Sequence, residues 1–152
     1  MASVRAGSVF LVSCAALAYE VLLTRYFAVA SWSEYGYWVI SMAMTGYAIS
    51  GVLLALFRGV ALARQEFLFR ALPILLMITA AAGYYFTTIN PFNPLELQNA
   101  VLWKSQLVNI GKFYAALFPF YFLSGLFLGL NWSAFQDEVA KLYAADLIGG
   151  CL

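Results

Sequence analysis

Four stretches of this chain are each long enough to cross a lipid bilayer as a helix, and they carry very few charges. A spanning helix needs about 20 mostly apolar residues. The stretches run from about Ser8 to Ala30, Tyr37 to Phe57, Phe67 to Thr87 and Phe113 to Trp132. Hydrocarbon offers nothing to a free backbone amide, and a helix satisfies its amides internally. Charged residues make up 10% of the chain, against roughly 25% in a soluble domain. Mean hydropathy is +0.86. The expected fold is all-α: a polytopic transmembrane helix bundle forming a single domain over residues 1–152, with the lipid bilayer as its first partner.

A fifth apolar segment begins near Tyr143. Ten residues rise only about 15 Å as a helix, half of a core about 30 Å thick. The expectation is four complete spans plus the start of a fifth, as the N-terminal part of a longer protein. Near the N-terminus, Leu11-Val12-Ser13-Cys14 imitates a lipoprotein box and Ala16-Leu17-Ala18 a signal-peptidase site. The flanking charge is Arg5 alone, and the apolar run exceeds a signal h-region. An uncleaved first span is expected.

Basic residues set the orientation. With the N-terminus inside, Arg5, Arg58, Arg64, Arg70 and Lys141 are cytoplasmic, and Lys104 and Lys112 lie outside. Trp32, Tyr35, Tyr37, Trp38, Tyr84, Tyr85 and Phe86 then mark the outer interface, and Phe57, Phe67, Phe69, Trp132 and Phe135 the inner one. This matches the aromatic belts of membrane proteins. The long outer loop, Asn90 to about Gly111, contains Asn93-Pro94-Leu95-Glu96, which reads as an N-cap, a first-position proline and a capping-box glutamate. A short helix from about Pro94 to Val108 is expected there, with Gln98, Asn99, Ser105, Gln106 and Asn109 on one stripe. It would lie at the interface or against protein.

Net charge is +1 and there is no basic run, so nucleic acid is not an expected partner. The chain has no histidine, which removes the commonest ligand for haem, zinc and copper and the commonest general base. No cofactor and no metal site are expected. Cys14 and Cys151 fall in apolar stretches without a CxxC spacing, and Met42, Met44 and Met77 suit gap-filling in helix packing.

Against this apolar background Glu20 stands near the centre of the first span. A charge there costs at least about 2.5–3.5 kcal/mol on insertion scales. Arg25 is five residues on, about 140° around the helix, so a direct pair within the helix is awkward. Arg25 lies nearer the outer end, where it can snorkel. Glu20 shares a small, polar face with Ser13, Ala16 and Thr24, which should point into the bundle. In the second span Ala43, Gly46 and Ser50 share a face, with Tyr47 and Gly51 beside it. Gly125 and Gly129 form a GxxxG pair in the fourth span. Small residues so spaced allow close helix packing. Pro119 should kink or open that helix, and Tyr121 and Ser124 follow it within possible reach of Glu20. Asp146 is a second acidic residue in an apolar setting, placed to act in the first turn of a fifth helix.

Several of these residues fall in recognisable strings. Tyr19-Glu20-Val21-Leu22-Leu23-Thr24-Arg25 resembles the YEVLxTR signature that opens the membrane domain of bacterial spermidine-synthase-like membrane proteins. Trp38-Val39-Ile40-Ser41, with Gly46-Tyr47-Ala48-Ile49-Ser50-Gly51, resembles their second helix. Phe118-Pro119-Phe120-Tyr121-Phe122-Leu123-Ser124-Gly125-Leu126 resembles their PFFxSG segment, and Leu142-Tyr143-Ala144-Ala145-Asp146-Leu147-Ile148-Gly149-Gly150 their LYAADLxGA motif. The strings occur in order across most of the chain and are weakest from Arg58 to Asn109. The resemblance implies a membrane domain that more helices and then a Rossmann-like aminopropyltransferase or methyltransferase domain usually follow. This sequence contains neither a glycine-rich nucleotide loop nor acidic diamine-binding residues to carry over.

The functional expectation is a non-catalytic, membrane-embedded module of the bacterial inner membrane. It would anchor a downstream domain or pack beside other transmembrane helices or subunits. Glu20, Arg25, Asp146, Tyr121 and Ser124 would form or flank its polar core, and Gly46, Ser50, Gly125 and Gly129 its packing seams. Two alternatives stand beside it. One is an accessory subunit of a large respiratory or photosynthetic complex. The other is a transporter or membrane enzyme that handles protons or substrate through Glu20.

Overall fold

A computed structural model describes residues 2–30, 36–90 and 103–151. These are helical almost throughout, with no strand among them. The order is α1 (Ala2–Ala30), α2 (Gly36–Leu56), α3 (Arg58–Ala63), α4 (Gln65–Ile89), α5 (Trp103–Ala134), a 3₁₀ turn (Gln136–Glu138) and α6 (Val139–Cys151). Four of the helices, α1, α2, α4 and α5, are long and apolar enough to cross a membrane.

The expected second and third spans are joined by a short helix that hydropathy does not mark. The α3 sequence, Arg-Gly-Val-Ala-Leu-Ala, buries none of its residues. Single-residue breaks at Phe57 and Arg64 set it off, yet backbone bonds cross both, from Phe57 N to Leu53 O (2.9 Å) and from Leu68 N to Arg64 O (3.1 Å). The outer-loop helix also differs from expectation. Its capping box lies outside the described residues, as does most of its length. Trp103–Val108 do not belong to a separate element but run without a break into α5. The segment stays helical through Gly111, Gly125 and Gly129 and through Pro119, as α4 does through Pro73. The last helix, α6, begins at Val139, one turn before the expected start.

Packing centres on α5, which lies against both α2 and α4, while α6 packs mainly on α1. One core cluster gathers Leu23, Phe27, Val39, Phe113, Leu117 and Tyr121. A second gathers Val9, Leu54, Leu72, Phe127, Leu130 and Leu142. The outward faces remain apolar, with Val29 90% exposed and Met77 75% exposed. Hydroxyl groups on the helices are satisfied locally. Ser41, Thr45, Thr79, Thr87 and Thr88 each donate to a carbonyl three or four residues earlier, so they need no outside partner.

The α2–α5 seam follows the small residues. A methyl group on Gly46 would stand 2.7 Å from Tyr121 Cβ and 2.9 Å from the Phe122 backbone nitrogen. One on Gly125 would collide with Ser50 Oγ and approach Tyr47 Cδ1 to 2.8 Å, and one on Gly129 would meet Leu54 Cδ2 at 2.9 Å. The backbones approach here because no Cβ stands between them, as small-residue spacing allows.

Candidate functional site

Four helices meet around a cavity of about 490 Å³. Its polar lining comes from Ser13 and Glu20 of α1, Tyr47 and Ser50 of α2, Trp132 of α5 and Asp146 of α6. The remaining lining is small or aliphatic, including Gly51, Gly125, Gly129 and Gly150. The glycines that bring α2 and α5 together therefore also form the cavity floor. Two carboxylates face this space, and neither lysine nor arginine lines it.

The two acids are held differently. Ser13, 7% exposed, donates its hydroxyl to the Asp146 carboxylate, tying α1 to α6. Close packing supports that tie, since a methyl on Gly149 would reach the Phe10 carbonyl oxygen at 2.5 Å. Asp146 lies two turns into α6 rather than in its first turn. The acidic residues at that helix start are Asp137 and Glu138. Glu138 pairs with Arg5 at 3.8 Å, and the Arg5 guanidinium stacks 3.7 Å from the Phe135 ring centroid. Glu20 is half-buried and makes no hydrogen bond or ion pair among the described residues. Arg25 is exposed and is not part of the cavity lining.

Tyr121 and Ser124 are fully buried, but neither lines the cavity. Ser124 donates to the Tyr121 carbonyl at 3.0 Å and lies 3.5 Å from the Tyr47 hydroxyl, so it turns toward its own helix rather than toward Glu20. Among the described residues the Tyr121 hydroxyl has no hydrogen-bond partner, and neither has the indole nitrogen of Trp132 at the cavity wall. The Tyr121 ring packs between Tyr19 and Tyr47, with centroids at 6.2 and 6.3 Å. A buried unpaired donor is costly, and two beside one polar cavity mark a place where packing alone does not explain the residues.

Of the residues picked out by sequence, the structure brings Glu20, Asp146, Ser50, Gly125 and Gly129 to one cavity, with Gly46 and Tyr121 just behind it. It leaves Arg25 outside. Ser13 was visible only as a member of the Glu20 face. Trp132 was read as an interface aromatic, and nothing in its local sequence signals that its indole turns inward. Among the described residues no three His, Cys, Asp or Glu side chains gather as a metal site would require.

No family model, curated protein or solved structure matches this chain.

The Ser13–Asp146 bond makes a direct prediction. A double-mutant cycle of Ser13→Ala and Asp146→Ala, read by reversible unfolding in mixed micelles, should give a coupling of about 1 kcal/mol, within the range of interhelical bonds in membranes. Coupling indistinguishable from zero would show that the contact does not hold α6 to α1.

Proposed function

We propose that this chain is a multi-pass module of the bacterial inner membrane, with its N-terminus in the cytoplasm and no catalysis of its own. In this reading it anchors a downstream spermidine-synthase-like domain or packs beside other membrane subunits. The observation that carries it is the arrangement of four long helices with apolar side chains outward and polar groups gathered inside. The basic residues favour the orientation, since Arg58, Arg64 and Arg70 fall together around α3 and the start of α4. The ordered resemblance of four segments to the membrane domain of that family supports the anchoring role.

Two experiments test the reading. Alkaline phosphatase fused within the 90–111 segment should be active, and the same fusion at 58–64 should be silent; the reverse pattern would overturn the orientation. The gene product purified from membranes should carry a spermidine-synthase-like domain on the same polypeptide. A native product ending at Leu152 and co-purifying stoichiometrically with a larger complex would instead support the accessory-subunit alternative.

A second reading rests on Glu20. An acid that ties helices together is expected to be hydrogen-bonded, and Glu20 is not, although a cavity opens onto it beside Asp146. Intramembrane acids facing a cavity are typical of proton or cation pathways. In this reading Glu20 exchanges a proton or binds a cation, and Asp146, steadied by Ser13, keeps the cavity negative.

A further inference from the structure

On the opposite side of α1 the bundle leaves a second opening. Helix α1 meets α4 where Tyr19 bonds to Ala80 and Tyr26 packs on Tyr84, and beyond that contact a groove runs between the two helices with α5 as its floor. Its deep part, about 430 Å³, has Phe120 and Phe127 as floor and Leu11 and Met77 as rims. The floor is buried, and the rims are 65% and 75% exposed. Ser8 on this wall donates to the Arg5 carbonyl at 2.8 Å, so it offers no free donor. The mouth, about 470 Å³, has the charged and polar groups Arg5, Glu66, Arg70, Gln65 and Asn131 set among aromatic and aliphatic side chains. Ser8, Pro73 and Phe127 line both parts, making one continuous groove. At its far end Tyr19 donates to the Ala80 carbonyl at 3.0 Å and closes it.

The dimensions and charges are those of a single lipid. From Arg5 to Ala15 on one wall and from Arg70 to Ala80 on the other, a helix rises about 15 Å, one leaflet of a core about 30 Å thick. Arg5 is already held by Glu138 and Phe135, but a guanidinium has five donors and retains several. Glu66 and Arg70 lie one turn apart on α4, both exposed, and form no ion pair among the described residues. A cation and an anion one turn apart and unpaired complement a headgroup that carries both charges.

We propose that this groove binds one phospholipid of the inner leaflet with a zwitterionic primary-amine headgroup. The phosphodiester sits on Arg70 and Arg5, where guanidinium geometry suits phosphate. The ammonium donates to Glu66, and one acyl chain lies along Phe127 and Phe120. The proposal rests on the membrane reading above and adds a ligand class to it.

The test is native mass spectrometry of the detergent-purified full-length protein, titrated with dioleoylphosphatidylethanolamine and dioleoylphosphatidylcholine. One tightly retained phosphatidylethanolamine is expected. The choline lipid should bind more weakly, because its methylated ammonium cannot donate to Glu66. Arg70→Gln should weaken retention about fivefold, and Ala15→Phe, which fills the open groove, should abolish it. Equal retention of both lipids, or retention indifferent to Ala15→Phe, overturns the proposal. Carbonate extraction of the same variants separates the two claims: protein that stays in the membrane without a retained lipid leaves the module reading standing. Wild-type protein extracted into the soluble fraction sinks both.

Discussion

Replacing Gly46 with leucine should break the α2–α5 seam and cause a large loss of stability. The added Cβ alone would stand 2.7 Å from Tyr121 Cβ and 2.9 Å from a backbone nitrogen. A flexible side chain can swing away from such a contact, but a backbone atom moves only if the helix moves. Overpacking typically costs about 1–3 kcal/mol, occasionally more, and the upper end is expected where backbone is the obstacle. Tyr121 and Leu117, both at 0% exposure, would lose their packing as α2 moved off α5. Mixed-micelle unfolding should show a drop of about 3 kcal/mol or more, with aggregation on gel filtration. Gly7→Ala is the control, because nothing lies within 4 Å of its added Cβ, and its stability should hold or rise by up to about 1 kcal/mol, the helix preference of alanine over glycine. A Gly46→Leu protein as stable as the wild type would mean that the two helices do not cross as closely as described.

The second large effect has the opposite sign. On the proposed membrane reading Glu20→Leu should stabilise the first span, because a charge near the middle of an apolar helix is replaced by the best-tolerated kind of side chain and no hydrogen bond among the described residues is lost. On insertion scales the exchange is worth about 3 kcal/mol. It should appear as more efficient membrane insertion of α1 and as resistance of the bundle to unfolding. Such a gain would show that Glu20 is retained at the expense of stability, the pattern expected of a residue kept for chemistry or binding. Any proton- or cation-dependent activity of the complete protein should then disappear in Glu20→Leu and fall in Glu20→Gln. Destabilisation by Glu20→Leu, rescued by a compensating change elsewhere, would instead identify Glu20 as a structural tie.

The two variants also separate the residues that hold this bundle from those that give it a task. Gly46, Ser50, Gly125 and Gly129 act by being small, and their effect is read as stability. Glu20 takes part in no such contact. Asp146 lies between these cases, because it both ties α6 to Ser13 and faces the cavity. Its change should cost stability and alter the cavity together.

The amino-acid sequence by itself determined that the chain is helical, and where the four long helices fall. Twenty apolar residues without a breaker have one stable answer when backbone bonds must close locally. The small-residue seams were legible for the same reason: Gly46, Ser50, Gly125 and Gly129 recur on single helix faces, and a face is a local property. The angular argument that separates Glu20 from Arg25 is local too, and in the structure Arg25 is exposed away from the cavity. Short elements were not legible. The six residues of α3 are too few for an apolar periodicity to mark them, and the join of Trp103–Val108 to α5 has no signal in the hydropathy pattern.

Only the tertiary structure decided what the acids meet. That Ser13 rather than a basic residue answers Asp146, that Glu20 has no hydrogen-bond or ion-pair partner among the described residues, and that Trp132 turns its indole inward all depend on how the helices lie on one another. So does the groove between α1 and α4, which opens where the two helices part beyond the Tyr19–Ala80 contact and α5 forms the floor. Hydropathy and periodicity describe one helix at a time. Cavities and cross-helix bonds belong to pairs and triples of helices, and pairing is set by side-chain shape complementarity over distances in sequence that no local pattern encodes.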